Sequence, residues 1–299
     1  MDNDTLGHDG AMAIKAFYDN RTNTVSYIVA DTGSGQAAII DSVLGFDYAS
    51  GQITYQEADI IADYVQKHEL HIEWHIETHV HADHLSAAPY LQERFGGKIG
   101  ISEKIVEVQK LFGKMFNAGT VFERDGSQFD HLFTDNEVYE IGRLTATALH
   151  TPGHTPACMA HYIGDAIFVG DTLFMPDGGT ARADFPGGDA RILYRSIKRI
   201  LALPPQTRIF VCHDYGPNGR GYAWETTVAD ELAQNIHIGP NISEDDFVAM
   251  RTKRDDSLDM PRLIMPSIQV NMRAGHMPPS EDDGNIYLKV PVSDPRKPR

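Results

Sequence analysis

Cysteine is scarce in this chain. Cys158 and Cys212 are its two thiols, far apart among 299 residues. Stability therefore does not come from a disulfide framework, and the apolar neighbourhood of each thiol suggests burial in a reducing, cytoplasmic setting. Long apolar runs are missing too. Nothing approaches the run of about 18 residues that a membrane span needs, and the N-terminal "MDNDTLGHDGAMAIKAF" has neither a basic n-region nor an apolar h-region. Positive charge is short, with 26 Lys and Arg against 42 Asp and Glu, a net of -16. Such a surface repels phosphate backbones and anionic headgroups. The small clusters "RTKR" (251–254) and "RKPR" (296–299) fit a solvated helix face and a polar tail. Neither nucleic acid nor membrane is expected as a partner.

What is present suffices for a large folded core, since 41% of the residues are apolar and 23% charged. "AIKAFYD", "TVSYIVAD" and "QAAIIDSV" are strand-like and separated by turn-rich segments, which predicts an antiparallel start. Ala58, Ile61, Tyr64 and Val65 are spaced for a helix over 55–70, and "HIEWHIETH" follows as a strand. A helix over 86–96 places Pro89 in its first turn, where a missing N–H costs little. The second half repeats this grammar: "RLTATALHT", "MAHYIG", "AIFVGDTLF" and "TRIFVCHD" as strands, and "DARILYRSIKRILAL" as an amphipathic helix. Strand groups interleaved with helices in both halves predict an α/β (α+β) αββα sandwich of two mixed sheets flanked by helices. The pattern changes from about residue 216. The expected organisation is a catalytic domain over 12–236 and a C-terminal appendage over 237–299 packed on it.

The stretch "ETHVHADH" (77–84) crowds His79, His81, Asp83 and His84 into one turn after a strand. Three further segments share the form. "HTPGHT" sets His154, "FVGDTLF" sets Asp171 and "FVCHDY" sets His213, each where an apolar strand gives out. Imidazole nitrogens and carboxylate oxygens are donors for zinc, iron or manganese, and a catalytic ion needs them to leave positions open. His71, His75, His161, His237 and His276 are expected to be structural or exposed, and Asp165 to be a turn residue.

"THVHADH", "TPGHTPAC", "GDTLF" and "CHDY", in this order, resemble the metallo-β-lactamase superfamily over roughly residues 12–235. The resemblance implies the αββα fold with a metal site at one edge of the two sheets. "GDTLFMPDGGTARADFPGGDARILYRSI" is similar to the persulfide dioxygenases, whereas the related glyoxalase II hydrolases carry a different segment there. That resemblance implies one Fe(II) per chain on His79, His154 and Asp171, with His81, Asp83, His84 and His213 orienting the ligands. The implied substrates are glutathione persulfide and O2, with Arg182 clamping a glutathione carboxylate and Asp83 and Tyr215 near the reacting atoms. A homodimer is implied by resemblance alone. The alternative is a dinuclear zinc hydrolase of glutathione thioesters, with two Zn(II) sharing Asp171. His79, His81 and His154 would then hold the first ion and Asp83, His84 and His213 the second, and "AMRTKRDD" (249–256) could supply cations for a glutathione tail. A scaffold that keeps a metal only for folding would want a closed four-ligand site, which leaves several of these donors without a use.

Overall fold

The computed structural model of the protein describes residues 11–239 and 241–294, so the "RKPR" tail and most of the N-terminal stretch lie outside the described residues. The first half runs β1 (Met12–Asp19), β2 (Thr24–Asp31), β3 (Gln36–Ile40), β4 (Val43–Asp47), β5 (Gln52–Thr54), α1 (Gln56–Lys67), β6 (His71–Ile76), β7 (Leu85–Ser86), α2 (Ala88–Phe95), β8 (Lys98–Ser102), α3 (Ile105–Met115) and β9 (His131–Phe133). The second half runs β10 (Glu137–Ile141), β11 (Leu144–His150), β12 (Met159–Ile163), β13 (Ala166–Phe168), α4 (Ala190–Ile200), β14 (Arg208–Phe210), β15 (Glu225–Thr227), α5 (Val228–Gln234), α6 (Glu244–Asp255) and α7 (Ile264–Asn271).

Two six-stranded sheets form, in the orders β1-β2-β3-β6-β8-β9 and β10-β11-β12-β13-β14-β15. The opening β1, β2 and β3 are antiparallel, and β3, β6, β8 and β9 are parallel. In the second sheet β13 and β14 pair in parallel and their neighbours are antiparallel. Both sheets are therefore mixed, as expected.

Period-two alternation explains the layering. In β2, Val25, Tyr27 and Val29 face the second sheet, where they meet Ile141, Ala146, Met159 and Phe168. Their neighbours Ile28 and Ala30 face outward onto Ala58, Ile61 and Val65 of α1 and Leu91 of α2. On the other flank, Leu193, Ile197 and Ile200 of α4 cover Ile167 and Ile209. Helices thus lie outside both sheets. Each fully buried aliphatic or aromatic side chain contributes about 1.5–3 kcal/mol, so the inter-sheet layer is a main source of stability.

Several strands end earlier than their apolar runs suggest. β6 stops at Ile76, β13 at Phe168 and β14 at Phe210, so the residues that follow are loop. "QAAIIDSV" is broken into β3 and β4 by Asp41, a non-glycine residue with φ 51°. Left-handed backbone at such a position is costly and calls for local compensation.

His75 and His161 are buried, His75 against the Gly96 carbonyl and His161 against the Tyr139 hydroxyl. Burial pushes both rings down from 6.5 to about 4. The unfolded chain takes up these protons near pH 6.5 and the folded chain near 4, so stability falls as pH drops through that window. We predict that His161→Gln, which can keep a bond to Tyr139, loses less of its urea midpoint between pH 7 and pH 5 than the wild type does. Equal losses would show that His161 does not contribute to the acid sensitivity.

Candidate metal centre

The loops that leave β6, β11, β13 and β14 at one edge of the sandwich carry His79, His81, Asp83, His84, His154, Asp171 and His213. All five imidazoles are at most 4% exposed. Glycine makes two of these loops possible. Gly153, with φ +134°, precedes His154, and an added Cβ would lie 2.3 Å from the Leu193 backbone. Gly170, with φ +51°, precedes Asp171, and its Cβ would lie 2.5 Å from the Thr78 hydroxyl. No other residue fits either place without displacement.

Each imidazole has one nitrogen held by the protein. His154 Nδ1 donates to the Arg182 carbonyl at 2.8 Å, and His213 Nδ1 donates to the Asn23 carbonyl at 3.1 Å. His79 Nδ1 lies 3.0 Å from the Thr78 hydroxyl. His81 Nε2 sits 3.0 Å from Asp41 Oδ1, and His84 Nδ1 lies 3.2 Å from Asp83 Oδ2. Because carbonyls only accept, the Nε2 atoms of His154 and His213 carry lone pairs when their rings are neutral. Both point at Asp171: His154 Nε2 is 3.6 Å from Oδ2 and His213 Nε2 is 3.3 Å from Oδ1, with His79 Nε2 3.8 Å from Oδ2.

Those separations exceed good hydrogen bonds and lie at or a few tenths of an ångström above the edges of a coordination shell, about 3–3.5 Å for donors about 2 Å from one ion. Asp171 Oδ1, His81 Nδ1 and His84 Nε2 are buried and have no hydrogen-bond partner. Buried polar atoms rarely stay unpaired, so this donor set fits a metal ion. The ligand atoms of His79, His154 and Asp171 lie within 4.8 Å of one another, as do those of His81, Asp83 and His84.

Electrostatics divides the rings. Burial, helped by the charge of His81, holds His79 well below its ordinary range, and burial lowers His154 and His84 as well. Neutral rings are ready ligands. Burial also acts against the charge on His81, but Asp41 and Glu77 outweigh it and raise His81 to about 10. For His213, Asp171 and Asp83 similarly outweigh burial and raise it. Glu77, pushed up by burial to about 8, is bonded to Ser86 through Oε1.

A cleft of about 280 Å³ opens over Asp83, His154, Asp171 and His213, walled by Phe174, Phe185 and Tyr215. The Tyr215 ring lies parallel to His213, with centroids 6.1 Å apart, and is 58% exposed. Arg182 is placed differently from the expectation of a free clamp. Its fork is bidentate on Asp184 at 2.6 and 2.7 Å, and its third arm donates to the Asp259 carbonyl. In "AMRTKRDD", Arg251 is likewise committed, to Asp255 and the Thr180 carbonyl. Arg254 lines the cleft and pairs with no carboxylate among the described residues.

Sequence reasoning did not single out Asp41 or Asn23, which belong to no visible motif, and gave no role to Glu77 or Thr78 although both lie within "ETHVHADH"; all four hold the ligand loops. The residues expected to be structural behave so: His75 and His161 are core, and His237 accepts from the Thr180 amide. His71, His276 and Asp165 are exposed.

The family model of the metallo-beta-lactamase superfamily matches residues 19–213. The chain belongs to this superfamily. Among its relatives are a probable metallo-hydrolase of Burkholderia pseudomallei, 55% identical over 94% of this chain and 99% of that protein, and glyoxylase B2 of Dictyostelium discoideum, 46% identical over 94% and 97%. The mitochondrial persulfide dioxygenase ETHE1 of Bos taurus is more distant, 27% identical over 92% of this chain and 93% of that protein. The crystal structure of ETHE1 from Myxococcus xanthus superposes with a TM-score of 0.70 at 26% identity, covering 88% of this chain and 99% of that one.

We predict that Gly153→Ala, by displacing His154, weakens metal binding by about 10- to 100-fold, the range typical of disturbed ligand support. Chelator competition on folded protein checks this, and unchanged affinity would refute it.

Proposed function

We propose that this member of the superfamily is an Fe(II)-dependent dioxygenase that converts glutathione persulfide, O2 and water to glutathione and sulfite. The terminal sulfur is oxidised, O2 is reduced, and the inner sulfur leaves as the thiol of glutathione. The observation that carries the reading is the compact set His79, His154 and Asp171. Two imidazoles and one carboxylate are the donor set of non-haem iron oxygenases, and they leave positions for substrate and gas. When bound, iron would supply the redox change that zinc cannot.

The protein's own groups set the stage. Thr78 and the Arg182 carbonyl orient His79 and His154. Asp83 is opposed by its own burial, but His213 and His84 outweigh it and hold the carboxyl well below the ordinary range. A carboxylate held that low is a weak base, so its role in this scheme is to keep His84 and His213 in place rather than to take a proton. Phe174, Phe185 and Tyr215 line the cleft, and the position of Tyr215 there supports a role in donating to a bound substrate. With Arg182 committed to Asp184, Arg254 is the cation that faces an anionic substrate tail. The buried, unpaired thiols Cys158 and Cys212 favour a cytoplasmic setting.

A dinuclear zinc hydrolase remains the second reading. It is favoured by the unpartnered His81 Nδ1 and His84 Nε2 and by the names of the nearer relatives. In it, two ions would lower the pKa of a bound water that attacks a thioester.

Protein purified without added metal is expected to contain about one iron per chain, to consume O2 with fresh glutathione persulfide and to cleave thioesters negligibly. Asp171→Ala should lose the iron and His213→Ala should retain most of it, measured by elemental analysis. Two zinc ions with rapid thioester cleavage, or iron lost equally in both variants, would reverse the ranking.

A further inference from the structure

Asn271, the last residue of α7, is 4% exposed and lies far in sequence from every ligand. Its Nδ2 donates to the carbonyls of His81 at 2.9 Å and His84 at 2.8 Å, and its Oδ1 accepts from the Ser86 amide at 2.8 Å. One side-chain amide thus uses both hydrogens and an acceptor site on a single loop. The two carbonyls flank Asp83. This stretch, from His79 to His84, has no strand partner, so backbone groups that a ladder would satisfy elsewhere are satisfied here by a distant side chain. The end of α7 is in turn fixed from α3, where Gln109 donates to the Met272 carbonyl at 2.9 Å.

The preceding helix supports the opposite ligand loop. Arg251 in α6, 1% exposed, donates to the Thr180 carbonyl at 3.0 Å, and Asp255 accepts from the Ala183 amide at 2.9 Å. Between these two bonds lies the Arg182 carbonyl that receives the His154 proton. Both ligand loops are therefore braced from helices that lie beyond the superfamily's matched residues 19–213.

We infer that Asn271 is a positioning residue for the metal centre, fixing the loop that carries His81, Asp83 and His84, so that metal occupancy and the seating of α7 are energetically coupled. This rests on the reading that His79, at the start of the same loop, holds a metal with His154 and Asp171. Coupling is reciprocal: if the seated helix favours the ion, the ion must favour the seated helix by the same factor.

Co(II) alone is the probe. In the wild-type protein, Co(II) binding is expected to slow amide hydrogen exchange across residues 264–275. Asn271→Asp keeps the acceptor for Ser86 and removes both donated bonds. It is expected to weaken Co(II) binding by about 10- to 100-fold in chelator competition and to shift the visible Co(II) absorption, with Asn271→Ser, which returns one donor, intermediate. Exchange over 264–275 that is indifferent to Co(II) overturns the inference, as does a folded Asn271→Asp with wild-type affinity and spectrum. Should the variants not fold, the wild-type exchange measurement decides alone. Failure of the wild type to bind Co(II) would instead sink the metal reading of the site.

Discussion

The one-sided satisfaction of each imidazole is the constraint on which the centre depends. One-sided bonding is not enough by itself: His75 and His161 also have one nitrogen bonded and the other buried without a partner, but neither belongs to a cluster of donors among the described residues. With one nitrogen tied to a carbonyl, hydroxyl or carboxylate, the other is aimed and left wanting. A buried unsatisfied polar atom costs about 1–3 kcal/mol, so three such atoms in one place are a substantial burden on the protein unless a cation relieves it. The chain holds this local instability with bonds outside the centre. Asp41 serves Thr78 twice and His81 once, and the carbonyls of Asn23 and Arg182 anchor two rings from opposite sides.

The sandwich makes the gathering possible because strands with long apolar faces all give out at one edge. Their burial is generous enough to carry loops with glycine at φ +134° and +51° and an aspartate at φ 51°. The order of the sheets brings the ends of β6 and of β13 and β14 to the same edge, although they lie far apart in sequence. The two C-terminal helices then close the arrangement from outside.

Much of this was legible in the sequence because two local signals are strong. The β-branched and aromatic run "TVSYIVAD" marks a strand, and the spacing of Ala58, Ile61, Tyr64 and Val65 marks α1. The ligands stood out because histidine and aspartate at strand ends are few and chemically specific. The supporting residues did not, since an aspartate in "IIDSV" or an asparagine in "SIQVN" is ordinary until tertiary structure sets it against a particular carbonyl or ring. Arg182 shows the converse case. Its type and place suited an anion clamp, but Asp184, two residues on, takes the same fork, and sequence spacing does not reveal which partner wins.

Asp41 answers two unrelated demands at one position. The chain must reverse there through a conformation that asparagine or glycine would tolerate, and the side chain must also bring two negatively polarised oxygens to Thr78 and His81. Glutamate meets the second demand but is too long and poorly suited to the first; asparagine meets the first but gives up the charge. Each of these replacements forfeits one requirement, although no reacting atom touches the site.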